Sequence, residues 1–103
     1  MGLIATIASY CKAIEDGRTN ANILDYLKDE VVELEDEING ANGPDGVFGE
    51  AIDVLVNCVD LIVKERPGVR LGDLEREVEE YAAKKCRKWE AKTNGTYTGE
   101  EES

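Results

Sequence analysis

The chain contains no histidine. That removes the usual neutral-pH general base, every triad built on imidazole, most zinc sites and the Glu-x-x-His pairs of di-iron bundles. Its three cysteines, Cys11, Cys58 and Cys86, lie in distant segments with no Cys-x-x-Cys pair. They read as reduced packing residues of a cytosolic protein, not as a disulfide scaffold. Basic residues are also scarce, since 12 Lys and Arg stand against 23 Asp and Glu, giving a formal net charge of -11 over 103 residues. Charge of that sign repels nucleic acid and anionic membranes and gathers cations, so neither is expected as a partner, and any phosphate chemistry needs a metal ion. The longest apolar stretch, 51–63, is interrupted by Asp53, Asn57 and Asp60, too short and too polar to span a bilayer. The opening Met1-Gly2-Leu3-Ile4 lacks the basic start of a secretory signal, so no export is expected and the cytoplasm is the expected location. Carboxylates are the only abundant catalytic groups.

Apolar residues recur with helical spacing along most of the chain, and glycine, proline and asparagine supply the breaks. The pattern predicts an all-α fold, a four-helix antiparallel bundle. A first helix is expected over 3–15, with Leu3, Ile4, Ile7, Cys11 and Ile14 on one face and a stop at Asp16-Gly17. A second, over 22–38 with Asn22 as cap, carries Ile23, Leu27, Val31, Leu34 and Ile38 in one stripe. Residues 39–46 read Asn-Gly-Ala-Asn-Gly-Pro-Asp-Gly, which no helix tolerates and which reverses the chain. A third helix covers 47–65 and stops before Pro67-Gly68. The fourth covers 71–92, with acids in its first turns and Lys84, Lys85, Arg87 and Lys88 near its end, as the helix dipole favours. Residues 1–92 thus form one domain, and 93–103 a polar, mobile tail in which Tyr97 is suited to dock.

The third helix holds the most information. Ten of the thirteen residues over 51–63 are apolar and point all around the axis, which predicts burial on nearly every side. Yet Glu50, Asp53, Asn57 and Asp60 fall at i, i+3, i+7 and i+10, on one line. A narrow solvated face is one explanation. The second helix suggests another, because Glu30, Glu33 and Glu37 share a face there, and an antiparallel pairing brings Glu30-x-x-Glu33 against Glu50-x-x-Asp53. Carboxylates about 4 to 6 Å apart raise one another's pKa and destabilise the fold unless a proton or a cation intervenes. Oxygen ligands without nitrogen or sulfur suit magnesium, manganese or calcium. An EF-hand over 39–50 fails in detail, since its third, fifth and sixth positions are Ala41, Gly43 and Pro44.

The paired motif, Asp29-Glu30-Val31-Val32-Glu33-Leu34 and then Gly49-Glu50-Ala51-Ile52-Asp53-Val54-Leu55, has sixteen residues between Glu33 and Glu50. It resembles the all-α nucleoside triphosphate pyrophosphohydrolases, which include the MazG-like proteins, dimeric dUTPases and phosphoribosyl-ATP pyrophosphohydrolase. The likeness runs from about residue 25 to 89, and the basic end and Asn94-Gly95 are similar to small, phage-type MazG-like chains. The chain departs from the pattern at Gly49, where relatives often carry an outer acid, and in lacking a clear asparagine among its fourth-helix cations.

The resemblance implies Mg2+, with Mn2+ as a substitute, held by Glu30, Glu33, Glu50 and Asp53. It implies hydrolysis of a nucleoside triphosphate between the α and β phosphates, to a monophosphate and pyrophosphate, with Glu33 taking the proton from water. Asn57, Lys84, Lys85, Arg87 and Lys88 would contact substrate, with Lys85 the cation expected to turn inward. Trp89 suits a core or dimer contact. Tyr10, Lys12 and Tyr26 are available to line a base pocket, without a decisive pattern. A short chain with a helix apolar on all faces also implies a homodimer or homotetramer. The competing class is a non-catalytic helical dimerisation or regulatory module that binds nucleotide or metal without turnover.

Overall fold

Each expected helix forms, and its ends show why. In the computed structural model, which describes residues 2–14 and 17–95, the helices are α1 (Leu3–Ala13), α2 (Asn20–Ile38), α3 (Gly46–Glu65) and α4 (Leu71–Thr93), with no strand among the described residues. The tail from 96 onward, Tyr97 included, and Asp16 of the expected stop pair lie outside the described residues. No described helix is long and apolar enough to cross a membrane.

The second helix starts two residues before the expected cap. Thr19 is the cap, and its hydroxyl accepts from the Asn22 N–H at 3.1 Å while the Asn22 side chain accepts from the Thr19 N–H at 3.1 Å. Asn22 is thus the third helical residue of a reciprocal capping box. The first helix has glycine at its cap and no side chain of its own to serve its orphan N–H groups. A residue from the far end of the sequence takes that role, since the Ala5 N–H donates to Glu75 Oε1 at 2.9 Å and the carboxylate sits at the positive end of α1. A Cβ at Gly2 would fall 1.7 Å from Glu75 Oε2, so glycine is what lets the carboxylate approach.

The helices pair as α2 with α3, α3 with α1, and α1 with α4. The start of α2 is tied to the end of α3 by Asn20 Nδ2 donating to Glu65 Oε1 at 2.9 Å, which sets the two antiparallel. Ala8, Val59, Val63 and Leu74 form the buried centre, where α1 closes over the C-terminal half of α3 and the start of α4. Lys12 secures the α3–α4 connection by donating from Nζ to the Val69 carbonyl at 2.8 Å.

One chain covers α3 over only part of its length. Only Val59, Asp60 and Val63 of this helix are buried. Towards its N-terminus the same stripe continues as Val56, Ile52 and Phe48, all exposed, because α1 is too short to reach them. The chain is correspondingly spread, with a radius of gyration of 15.9 Å and extents of 41 × 40 × 27 Å, where a close-packed chain of this size has a radius of about 13 Å. The cysteines also divide: Cys11 and Cys58 are half-buried, whereas Cys86 is exposed and packs no core.

Candidate metal centre

Three of the four expected ligands converge. Glu30 projects from α2, Glu50 and Asp53 from α3, and one carboxylate oxygen of each lies within 4.8 Å of the others. The antiparallel hairpin makes this possible, since a residue eight before the end of α2 meets residues five and eight into α3. The register is held by the turn. Glu37, on the same helix face as Glu30 and Glu33, accepts the Gly43 N–H at both oxygens, at 2.9 and 3.0 Å. A Cβ at Gly43 would stand 2.9 Å from Glu37 Oε2, and Gly40 and Gly46 take φ of 98° and 66°, so this turn depends on its glycines.

Glu33, the fourth expected ligand, is exposed and is not among the three that converge, though it acts on the carboxyls of Glu30 and Glu50. Burial first, then the hydrogen bond to Glu33 and the charges of Glu33, Asp53 and Glu50, push the Glu30 carboxyl up to about 7. Glu50 is pushed up as well, by burial and then by the charges of Glu33, Asp53 and Asp45. Every charge acting on the two is another carboxylate.

Oε2 of Glu30 and Oε2 of Glu50 are buried with no hydrogen-bond partner. A buried carboxylate oxygen without a donor is costly, and a proton or a hard cation removes that cost. The donor set fits a magnesium or manganese ion: oxygens only, from two helices, with Glu33 an exposed carboxylate on the same helix as Glu30. At Gly49 a Cβ would come 2.5 Å from the Asp45 Cβ, so the start of α3 is tight at this position.

The line of polar groups along α3 does not act as one face. Asn57 folds back on its own helix, its Nδ2 donating to the Asp53 carbonyl at 2.9 Å. Asp60 is buried and takes both guanidinium nitrogens of Arg18, Nη1 to Oδ2 and Nη2 to Oδ1, the latter at 3.3 Å. Arg18 was not singled out in the sequence. The one signal for it was a lone cation in an otherwise polar connection seventeen residues into an acidic chain, too weak to pair with Asp60. The Arg18–Asp60 pair borders Cys11, whose thiol is pushed up by burial and by Asp60.

The fourth-helix cations are not brought to the carboxylates within one chain. Helix α4 packs along α1 and not along α2. Lys85 lines an apolar groove of about 560 Å³ with Leu61, Ile62, Val78 and Tyr81, away from the acidic group. Arg87, two positions on, points to the opposite side of α4 from Lys85, while Lys84 and Lys88 are half-buried. Tyr10 and Tyr26 are exposed.

A carboxyl whose pKa is higher folded than unfolded favours the folded state in acid, and that advantage fades as pH rises through the interval between the two values. For Glu30 the interval runs from the ordinary carboxylate range to about 7. In chelator, the melting temperature is therefore expected to fall by about 5 °C between about pH 5 and pH 8. Millimolar Mg2+ should abolish the fall by replacing the proton, with proton release on binding. Thermal unfolding across that range checks this; a fall unaltered by Mg2+ refutes a cation site.

Comparison with the models of known protein families, with curated proteins and with solved structures finds no match.

Proposed function

We propose that the chain is a magnesium-dependent nucleoside triphosphate pyrophosphohydrolase of the MazG-like kind, with Mn2+ as a substitute, working as a homodimer or homotetramer. The observation that carries this reading is the pair of buried, unpartnered oxygens of Glu30 and Glu50, set beside Asp53 across an antiparallel hairpin. Two buried carboxylate oxygens without a donor call for a shared proton or a cation, and a cation is what this reading supplies.

Mg2+, when bound, neutralises phosphate oxygens and eases deprotonation of water. The protein's own groups do the rest. Glu30, Glu50 and Asp53 hold the cation by charge, and their half-burial limits competition from water. Glu33, exposed on the same helix as Glu30, is placed to accept a proton from water approaching a bound triphosphate. Asn57 donates to the Asp53 carbonyl and so steadies the turn that presents Asp53; in the bound state its carbonyl oxygen remains for a sugar hydroxyl. Cation and carboxylates alone leave the departing pyrophosphate without a counter-charge, a role for the lysines of α4.

Pyrophosphate release from a panel of ordinary and modified nucleoside triphosphates, with Mg2+ and with chelator, tests the reading. Release that depends on Mg2+ and yields the monophosphate is expected. Binding without release across the whole panel supports the regulatory module instead.

A further inference from the structure

Three asparagines stand directly before a glycine: Asn39, Asn42 and Asn94. Asparagine side-chain amides are thermally labile, and a following glycine, having no side chain, leaves its nitrogen free to reach that amide. The fold treats the three steps differently, and the difference lies in what each glycine N–H meets.

Asn39 and Asn94 are the C-terminal caps of α2 and α4. After each, the glycine N–H donates to a carbonyl of the helix just ended, Gly40 to Glu37 at 3.1 Å and Gly95 to Lys92 at 3.2 Å. Both nitrogens are tied into a last turn, opposite a neutral acceptor that takes no proton. Asn42 belongs to no helix, is exposed, and sits in the left-handed region at φ 58°. The N–H that follows it is the one that the Glu37 side chain accepts with both carboxylate oxygens, at 2.9 and 3.0 Å. A base therefore touches the nitrogen that lies one bond beyond the Asn42 carbonyl, in reach of its carboxamide.

We propose that Asn42-Gly43 is a self-modifying site, at which Glu37 drives the conversion of Asn42 to aspartate and isoaspartate. Glu37 takes the proton from the Gly43 nitrogen, whose electron pair then closes a five-membered ring on the side-chain carbonyl carbon, Cγ, of Asn42. The tetrahedral centre so formed expels the side-chain nitrogen as ammonia, with the proton returned by Glu37, and a cyclic imide remains. Water opens the imide. Attack at Cγ gives aspartate, and attack at the main-chain carbonyl gives isoaspartate, whose backbone runs one carbon longer through the former side chain. Either product adds a negative charge to a chain that already carries -11.

The site lies in the turn that holds the register of α2 against α3. An isoaspartate lengthens the connection on which the approach of Glu30 to Glu50 and Asp53 depends. That consequence rests on the cation reading proposed above; the modification itself does not.

Ageing the full chain for days at neutral pH, followed by peptide mapping with tandem mass spectrometry, tests the site. Conversion at Asn42 is expected to run about tenfold faster than at Asn39 and Asn94. Glu37→Gln keeps an acceptor for the Gly43 N–H but removes the base, and should slow conversion at Asn42 by about tenfold with unchanged helical circular dichroism. Equal rates at the three asparagines overturn the inference. So does a Glu37→Gln variant that ages as fast as the wild type or faster, since the carboxylate would then be a clamp that protects the amide. If Glu37→Gln loses its helical signal, the ratio of the three sites in the wild type decides alone. Fresh and aged protein, separated by charge, are then compared for the rise in melting temperature that Mg2+ produces, and a smaller rise is expected after ageing. An equal rise in both overturns the coupling to the register. Conversion at Asn42 in a protein whose fresh form ignores Mg2+ leaves the modification standing and removes the cation reading.

Discussion

Glu33→Gln is expected to slow pyrophosphate release by about 10²- to 10⁴-fold while leaving the Mg2+-induced rise in melting temperature largely in place. The separation follows from position. Glu30, Glu50 and Asp53 are the three whose oxygens converge, and two of them hold buried oxygens with no other partner. Glu33 is exposed and outside that group of three, so its charge adds less to cation affinity and its oxygen is the one open to water. Glu50→Gln should behave in the reverse order, losing the thermal response to Mg2+ first and turnover with it. Steady-state kinetics and thermal unfolding on the same two proteins check the pair of outcomes. Full turnover in Glu33→Gln would move the proton acceptor to another group.

Arg18→Ala is expected to cost about 3–5 kcal/mol of stability, because it strands the buried carboxylate of Asp60. The guanidinium also donates to the Ile14 carbonyl at 3.4 Å, so the end of α1 loses a partner in the same change. In a chain of this length that is a drop of well over about 10 °C in melting temperature. Replacing both members, Arg18→Met with Asp60→Leu, should recover most of the loss, since removing the pair together leaves no uncompensated charge. Urea denaturation of the two single variants and the double variant measures the coupling. A single variant as stable as the wild type would mean that water reaches Asp60.

The helices were legible from local chemistry. Gly-Pro-Asp-Gly after Ile38 and Pro67-Gly68 after Arg66 break any helix by backbone geometry alone, and α2, α3 and α4 begin or end within two residues of where those signals put them. The converging acids were legible for a similar reason: a short reversal between two helices of nearly equal length leaves few registers, and two i, i+3 acid pairs mark one of them. Pairings between residues far apart in sequence were not legible. Glu75 serving the start of α1 and Arg18 meeting Asp60 each depend on how α1 crosses α3 and α4, an angle set by packing and not by any local pattern. Glu37 shares the face of Glu30 and Glu33, but that its side chain turns to a loop N–H is a contact no helical periodicity announces. Within one chain α3 is covered over only part of its length, because an eleven-residue α1 does not reach its N-terminal half.

The chain has one tryptophan, and it stands near the tip of α4, where a single protomer leaves it mostly in water. Its indole emission is therefore a site-specific optical label that nature has already installed. A red, quencher-accessible spectrum at high dilution that turns blue and shielded on concentration, or on addition of a triphosphate with Mg2+, would follow the tip of that helix in real time without any dye.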